Sequence, residues 1–309
     1  MKNIIAIQSD NLNKININTD TTILLAKEAQ TLGYKIIWYE TKDLNFIKSR
    51  VIVFGKEIKL QINQKKFYKV IKNIKFDLKK ANYILIRQNP PFNTSYINST
   101  YYLDILNSNK IINSPTSIRN VSEKFYSAKF TKYMPPTIFT KNFLEIKRFL
   151  KENKKIVIKP INGYAGKNIL FIKKNLIKSK ISSYIRKFDH VMVQKYLSGI
   201  KYGDKRVFII NGKVKGAIKR VPKKGSILAN ISQGGKAFAT KLNKNELDVS
   251  KIIAKSLYKS KIFFAGIDLI DGYLIGDINV TSPTGLSEYK NLTGINLAEE
   301  FWKEVKKLK

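Results

Sequence analysis

Two short apolar runs, Phe263 to Ile270 and Tyr273 to Val280, meet at Asp271-Gly272. An Asp-Gly pair between runs of this kind marks a two-residue hairpin, because the turn needs positive φ at both central positions. The chain is therefore expected to fold back here as paired antiparallel strands. Asp277 and Asn279 are two residues apart, so their side chains leave the same strand face, and Asp268 lies on the partner run. Hard oxygen donors grouped in this way suit Mg²⁺, which takes one or two protein carboxylates and completes its shell with other oxygens. Read alone, the same hairpin is a surface feature with ordinary acidic residues, and the rest of the chain decides between the two.

With 309 residues and a 43% apolar fraction spread along its length, the chain is long enough for about two domains and a sizeable core. No apolar run approaches the roughly 20 residues that span a bilayer. Met1-Lys2-Asn3 leads into the strand-like Ile4 to Ile7 rather than a secretory apolar segment, so the expected address is cytoplasmic. Cysteine is absent and His190 is the sole histidine, which removes disulfides, thiolate nucleophiles, Cys-based zinc sites and His-paired nucleophiles. Chemistry must rest on carboxylates, Lys, Arg, amides, backbone N–H groups and a bound cofactor. The formal charge of +36 invites a nucleic-acid reading. Only seven of the 58 basic residues are arginine, however, and arginine is the side chain suited to bidentate readout of bases and phosphates. Lysine filling solvated positions throughout, among abundant Ile and Asn, reads as a general residue bias, and no dedicated nucleic-acid or membrane partner is expected.

From residue 1 to about 118, short apolar runs alternate with helix-like stretches: Ile4 to Ile7, Thr21 to Leu32, Lys35 to Tyr39, Phe67 to Ile74, Tyr83 to Arg87 and Thr100 to Asn107. Such alternation predicts an open, mostly parallel α/β sheet. Asn89-Pro90-Pro91 and Asn113-Ser114-Pro115 read as loops. Beyond Pro135-Pro136, strands are expected at Ile156 to Ile158, Ile169 to Ile172 and Val191 to Gln194, with helices at Phe143 to Lys151 and Leu176 to Phe188. Lys205 to Ile210 and Lys213 to Arg220 meet at Asn211-Gly212, a second strong hairpin signal. Pro222 to Lys236 lacks periodicity, and loops this long in compact domains are usually functional. Leu242 to Lys259 and Leu297 to Leu308 read as helices.

Asn162 to Lys167, with Gly163 and Gly166, connects two of these strands and could fold its N–H groups around a polyphosphate. It is neither a Walker A sequence nor a dinucleotide fingerprint, and alone it reads as a structural turn. Lys159 precedes Pro160 at the end of the first strand, where one ammonium group could reach phosphates.

The order of these pieces along the chain resembles the ATP-grasp ligases, and more closely the bacterial glutathione synthetases. The resemblance is carried by Asp10 with Ile15 to Asn18, Arg87 with Pro90-Pro91-Phe92, Ser117-Ile118-Arg119 with Glu123-Lys124, and Ile158-Lys159-Pro160. It continues through Gln194-Lys195-Tyr196-Leu197, Gly203 to Val207, Arg220-Val221-Pro222, Gly234-Gly235, Gly266-Ile267-Asp268 and Asp277 to Thr284, covering residues 1 to 305. It implies an α/β fold, α+β in the ATP-grasp part, in three parts: an N-terminal open α/β substrate domain (1–118), a central lid (119–197) and a C-terminal metal-binding domain (198–309). It also implies that ATP converts a carboxylate to an acyl phosphate, which an amine then attacks. The acid would be γ-glutamylcysteine and the amine glycine. On this resemblance Lys124, Lys159, Gly163 and Gly166 bind the ATP phosphates, and Gln194, Lys195, Tyr196 and Leu197 border the adenine. Asp268, Asp277 and Asn279 hold Mg²⁺, as many as two ions, with Mn²⁺ as a substitute. Arg206 and Arg220 are the catalytic cations, and Asp10 and Arg87 contact the peptide substrate. A homo-oligomer, commonly a tetramer, is implied by the family alone.

Several positions depart from the family. Asp277 stands where Glu is usual, Leu228 and Ser287 where Arg is usual, and Lys236 replaces a further Arg. Asn89 and Asn93 replace acidic residues, and Gln88 replaces Lys. Losing bidentate forks near the substrate leaves open a ligase acting on a different small acid. A third reading, a protein that binds nucleotide without turnover, conflicts with the retained Asp268, Asp277 and Asn279.

Overall fold

The computed structural model describes residues 3–61 and 66–308, so Met1 and Lys2, where a secretory segment was weighed, lie outside the described residues. The strands are β1 (Ile4–Gln8), β2 (Lys35–Tyr39), β3 (Leu44–Ile47), β4 (Arg50–Leu60), β5 (Tyr68–Asp77), β6 (Tyr83–Ile86), β7 (Ile111–Ile112), β8 (Thr137–Thr140), β9 (Ile156–Pro160), β10 (Leu170–Ile172), β11 (Val191–Lys195), β12 (Asp204–Ile210), β13 (Lys213–Val221), β14 (Lys236–Ala239), β15 (Phe264–Ile270) and β16 (Tyr273–Asn279). The α-helices are α1 (Thr21–Thr31), α2 (Thr94–Asp104), α3 (Pro115–Asn120), α4 (Phe143–Asn153), α5 (Lys178–Phe188), α6 (Lys244–Lys259), α7 (Leu286–Thr293) and α8 (Leu297–Val305). None is long and apolar enough to cross a membrane.

Strands β1 to β7 form one sheet in the order β3-β4-β2-β1-β6-β7, with β5 also paired to β4. The expected parallel pairing holds for β2-β1-β6-β7. The other half is an antiparallel meander of β3, β4 and β5, of which only β5 corresponds to an expected run, Phe67 to Ile74. Residues 50–60 bury Val51 and Val53 and bring Gly55 against β2, where a Cβ would lie 2.8 Å from the Trp38 carbonyl oxygen.

A four-stranded sheet, β10-β9-β11-β8, follows. Ile156, Ile158, Val191 and Val193 pack with α4 and α5 side chains such as Ile146 and Ile181. Strand periodicity then turns Val157, Lys159 and Gln194 to the opposite face. The five-stranded sheet runs β14-β13-β12-β15-β16 and is antiparallel throughout. Val207, Ile209, Ile267 and Leu269 pack against α6 on one face. Phe208, Ile210 and Ile218 pack on the other face into a core shared with α8 and with β1 and β2. Trp302 closes this shared core, fully buried, with Nε1 donating to Leu25 O at 2.8 Å.

Asn113, expected as a loop residue, fastens the first sheet to the third. Its Nδ2 donates to Phe264 O (2.8 Å) and Val280 O (2.7 Å), while its Oδ1 accepts from the N–H groups of Phe263 (2.9 Å) and Phe264 (2.8 Å). Removing a buried amide strands several polar groups, each at a cost of about 1–3 kcal/mol. Asn113→Ala should therefore lower unfolding stability by more than about 2 kcal/mol in urea denaturation, with an unchanged slope. A loss below about 1 kcal/mol would show that other contacts hold this junction.

Candidate active site

A cleft of about 900 Å³, open to solvent, lies between the four- and five-stranded sheets. Lys124, Lys159, Gly163, Gly166, Gln194, Lys195, Tyr196, Leu197, Asp268, Asp277 and Asn279 all line it. Residues from four separated stretches of sequence are thus brought together. Arg206, Arg220, Asp10 and Arg87 are not on its wall.

The metal-ligand candidates owe their placement to an irregularity in the hairpin. Ile267 pairs with Ile278, but Leu269 pairs with Leu274, so β16 carries extra residues opposite Asp268. Gly276 supplies the turn of this bulge at φ +81°, and a Cβ there would lie 2.3 Å from Met192 Cε. Bulges re-aim side chains next to active sites, and this one presents Asp277 to both lysines. Lys124 Nζ lies 3.4 Å from Asp277 Oδ1, and Lys159 Nζ lies 3.3 Å from Oδ2. The carbonyl of Ile275, freed in the bulge, accepts from Lys159 Nζ at 2.8 Å. Burial opposes ionisation of Asp277, but Lys159 and Lys124 outweigh it and hold the carboxyl below its ordinary range.

Asp268 sits in a different electrostatic setting. Arg206 pairs with it through both Nε and Nη2, the latter at 2.8 Å. Arg220 Nη2 approaches Asp268 Oδ2 at 3.0 Å while pairing with Asp204 through Nε (2.7 Å) and Nη2 (2.6 Å). All four groups are buried. The arrangement follows from register, since Asp204 is opposite Arg220 and Arg206 is opposite Asp268 on one sheet face. Burial works against the Asp268 charge, yet Arg206 and Arg220 hold its carboxyl well below the usual range. Asn279 Nδ2 donates to Gly266 O at 3.2 Å, leaving its Oδ1 as the amide's acceptor. Two carboxylates and an amide oxygen around one cleft are a hard-oxygen set that fits Mg²⁺ completed by phosphate oxygens.

Lys124 Nζ also donates to Gly163 O at 2.7 Å, tying it to the glycine turn. That turn is closed by Lys167 N donating to Tyr164 O at 3.0 Å. Gly166 has φ +73°, and a Cβ there would meet Asn230 Oδ1 at 2.9 Å, so the long loop lies directly on the turn. Leu228 and Ala229 of the long loop line the cleft, and Ala229 packs with Ile200, Ile270 and Ile275. The Gln194 amide is turned inward, with Nε2 donating to Thr137 Oγ1 at 2.9 Å and Oε1 3.5 Å from Lys159 Nζ. The N–H groups of Lys195 and Tyr196 donate to Pro136 O and Lys155 O, both at 2.9 Å.

Glu123, which the sequence marks only as the neighbour of Lys124, anchors this wall. Its Oε1 accepts from Val280 N (3.2 Å) and Thr281 Oγ1 (3.0 Å), and its backbone oxygen accepts from Ile278 N (3.2 Å). Burial pushes its carboxyl up despite the pull of Lys124. Asp204 was likewise named without a role; its i, i+2 spacing from Arg206 was the signal that could have exposed it. Elsewhere, Arg87 is buried, donating through Nε to Thr22 Oγ1 (3.1 Å) and through Nη2 to Pro283 O (2.9 Å), while Nη1 is unpartnered among the described residues. Burial lowers its guanidinium to about 10. Asp10 Oδ2 accepts from the backbone and side-chain nitrogens of Asn89 at 3.2 and 2.7 Å. Ser282 Oγ donates to Asn89 Oδ1 at 2.8 Å, so Asp10 and Arg87 both face the segment that follows β16.

Known proteins share this arrangement of sequence and fold. Residues 3–119 match the N-terminal domain of prokaryotic glutathione synthetase, and residues 123–294 match its ATP-grasp domain. The glutathione synthetase of Buchnera aphidicola subsp. Baizongia pistaciae is 37% identical over 296 residues, covering 94% of this chain and 91% of the relative. Among solved structures, a D-cycloserine synthetase superposes with a TM-score of 0.70 at 14% identity, over 99% of this chain and all of the other. An ATP-grasp ligase solved with a precursor, Mg and ADP superposes with a TM-score of 0.66 at 14% identity, over 98% and 97% of the two chains. The chain therefore belongs to the prokaryotic glutathione synthetase family, and it is an ATP-dependent ligase of the ATP-grasp type.

Proposed function

We propose that the chain joins the cysteinyl carboxylate of γ-glutamylcysteine to the amino group of glycine, giving glutathione, ADP and phosphate. The observation that carries this reading is the convergence of Lys124, Lys159 and Asp277, from three segments, on one cleft lined by a glycine turn. The reaction must hold a triphosphate beside a carboxylate and keep water from a hydrolysable acyl phosphate. Lys124, Lys159, Gly163 and Gly166 hold the phosphates in this reading. The apolar floor from Tyr196, Leu197, Ile270 and Ile275 receives the adenine ring, bordered by Gln194 and Lys195. Asp268, Asp277 and Asn279 hold Mg²⁺, one ion or two, with Mn²⁺ as a substitute. When bound, the metal neutralises phosphate charge and polarises the transferred group. Arg206 and Arg220 steady the charge that grows on the phosphoryl group and on the tetrahedral intermediate, acting from behind Asp268.

Asp10 and Arg87 take the peptide substrate, and the unpartnered Nη1 of Arg87 supports that role. Segment 119–197 serves as the lid, residues 1–118 as the substrate domain and residues 198–309 as the metal-binding domain. The long loop over Gly166 acts with the lid to exclude water. A homo-oligomer and a cytoplasmic address go with the family reading. The second reading, a different small acid, is favoured by one feature. Leu228 brings an aliphatic side chain to the cleft wall, and the Ser287 hydroxyl donates to the Asp20 carbonyl at 3.5 Å, at two positions where the resemblance leads one to expect arginine.

Purified protein with Mg²⁺-ATP should release ADP only when both γ-glutamylcysteine and glycine are present, with glutathione formed in equal amount. Asp277→Asn should lower the rate by about 10²-fold or more. ADP release with another acid but not with this one would move the assignment to the second reading. Leu228→Arg or Ser287→Arg should lower KM for the dipeptide by about tenfold, equal to about 1.4 kcal/mol, with KM for ATP unchanged. Unaltered dipeptide KM in both variants would show that neither position contacts the acid.

A further inference from the structure

We propose that Lys124 and Lys159 hold the place of a divalent cation at Asp277 in the free protein, so that metal enters this position only together with a nucleotide triphosphate. The inference rests on the reading that assigns Asp268, Asp277 and Asn279 to the metal, and it concerns the order in which the site fills.

The two ammonium groups divide the Asp277 carboxylate between them, one at each oxygen, at 3.4 and 3.3 Å. Both lysine side chains are nearly buried, 5% and 7% exposed, whereas Asp277 keeps 26% exposure toward the cleft. Their remaining contacts are neutral: Gly163 O for Lys124, and Ile275 O with Gln194 Oε1 for Lys159. Asp277 is thus the only carboxylate at ion-pair distance from either lysine among the described residues, with the neighbouring Glu123 carboxyl feeling the charge of Lys124 from farther off. Asp268 is occupied in the same manner by Arg206 and Arg220. Of the three ligand side chains, Asn279 Oδ1 alone has no donor among the described residues.

A metal ion arriving alone must take the Asp277 carboxylate from two buried ammonium groups and leave neither with an anion at ion-pair distance. Unpaired buried charge is strongly unfavourable. A metal arriving with a triphosphate imposes no such penalty, since an ammonium group has three donors and the incoming phosphate oxygens are anionic. Each lysine then exchanges a carboxylate for a phosphate while the carboxylate exchanges lysine for metal. The apparent affinity for free metal is reduced by the small fraction of molecules in which the lysines have left Asp277.

Mn²⁺ binding to the full chain, followed by electron paramagnetic resonance, tests this without reference to turnover. Mn²⁺ should bind at least about 10²-fold more tightly in the presence of a non-hydrolysable ATP analogue than in its absence. In Lys124→Met/Lys159→Met, Mn²⁺ should bind the nucleotide-free protein at least about tenfold more tightly than it binds the wild type, and should raise the thermal midpoint. Adding Asp277→Asn to that variant should abolish the gain. Equal Mn²⁺ affinity of the wild type with and without the analogue overturns the proposal, a result that needs no variant to fold. So does a folded double variant that gains no metal affinity. Failure of the wild type to bind Mn²⁺ even with the analogue overturns the metal assignment itself, and the two failures are therefore distinguishable.

Discussion

The buried set of Asp204, Arg206, Arg220 and Asp268 is the constraint on which the rest of the third sheet depends. Two carboxylates and two guanidinium groups are taken from water together, so each charge must find its partner across a strand. They do so because Asp204 faces Arg220 and Arg206 faces Asp268 in register on one face, while Val207, Ile209 and Ile267 point the other way into the α6 core. A one-residue slip of β12 would reverse every side chain of that strand and push Asp204 and Arg206 into that apolar core. The set therefore specifies strand pairing as much as it stabilises the sheet. Removing one partner of such a pair costs about 3–5 kcal/mol, mostly through the charge left behind.

The second sheet supplies what the third lacks. Asp277 has no arginine; its neutralisation comes from Lys159, on β9, and from Lys124, in the connection between the first and second sheets. Lys159 points into the cleft because Ile156 and Ile158 are committed to α4 and α5. Lys124 is held because Glu123 is bonded to the segment following Asp277. The two sheets thus meet through ammonium-carboxylate contacts at the cleft as well as through apolar packing, with Met192 of β11 buried against Ile267 and Ile278 and with Tyr196 and Leu197 against Ile270 and Ile275.

Much of this was legible from residues alone, and the exceptions have physical causes. The hairpins at Asn211-Gly212 and Asp271-Gly272 announce themselves because positive φ at the turn restricts composition there. Lys159 on a strand end and the glycine turn after it were placed by periodicity. The bulge at Gly276 was not seen, although a glycine inside an apolar strand is the usual sign of one. Of the meander β3-β4-β5, only β5 is foreshadowed, by the run Phe67 to Ile74; β3 and β4 follow each other with no helix between them, so strand-helix alternation does not reveal them. Asn113 does lie in the loop between β7 and α3, as its Asn-Ser-Pro setting implies, but its part in joining two sheets is not legible, because its four hydrogen bonds reach residues about 150 positions or more away, which no local pattern encodes. Arg206 and Arg220 stand out through the scarcity of arginine, but their pairing with Asp204 and Asp268 depends on register, which the sequence alone does not give.

That scarcity also bears on the positions that depart from the family. In this chain, arginine is retained where a planar fork meets a carboxylate, as at Arg206, Arg220 and Arg119, which pairs with Asp104. Arg50 and Arg186 are exposed with no carboxylate at ion-pair distance among the described residues, the exposed Arg148 pairs with Glu145 at 3.2 Å, and the buried Arg87 donates to Thr22 Oγ1 and Pro283 O instead of a carboxylate. Elsewhere a basic position is filled by lysine, including the two that face Asp277. Replacement of arginine by lysine at position 236 follows this bias and carries little information, since the charge persists on an exposed strand residue. Leu228 and Ser287 do not follow it. A drift toward lysine would have left ammonium groups there; instead an apolar side chain joins the cleft wall and a hydroxyl rests on the start of α7. Loss of charge at both positions removes anion affinity that residue bias cannot account for. Under the reading proposed above, the grip on the acid substrate falls to Arg87, to the segment after Asn279, or to the lysines of the long loop.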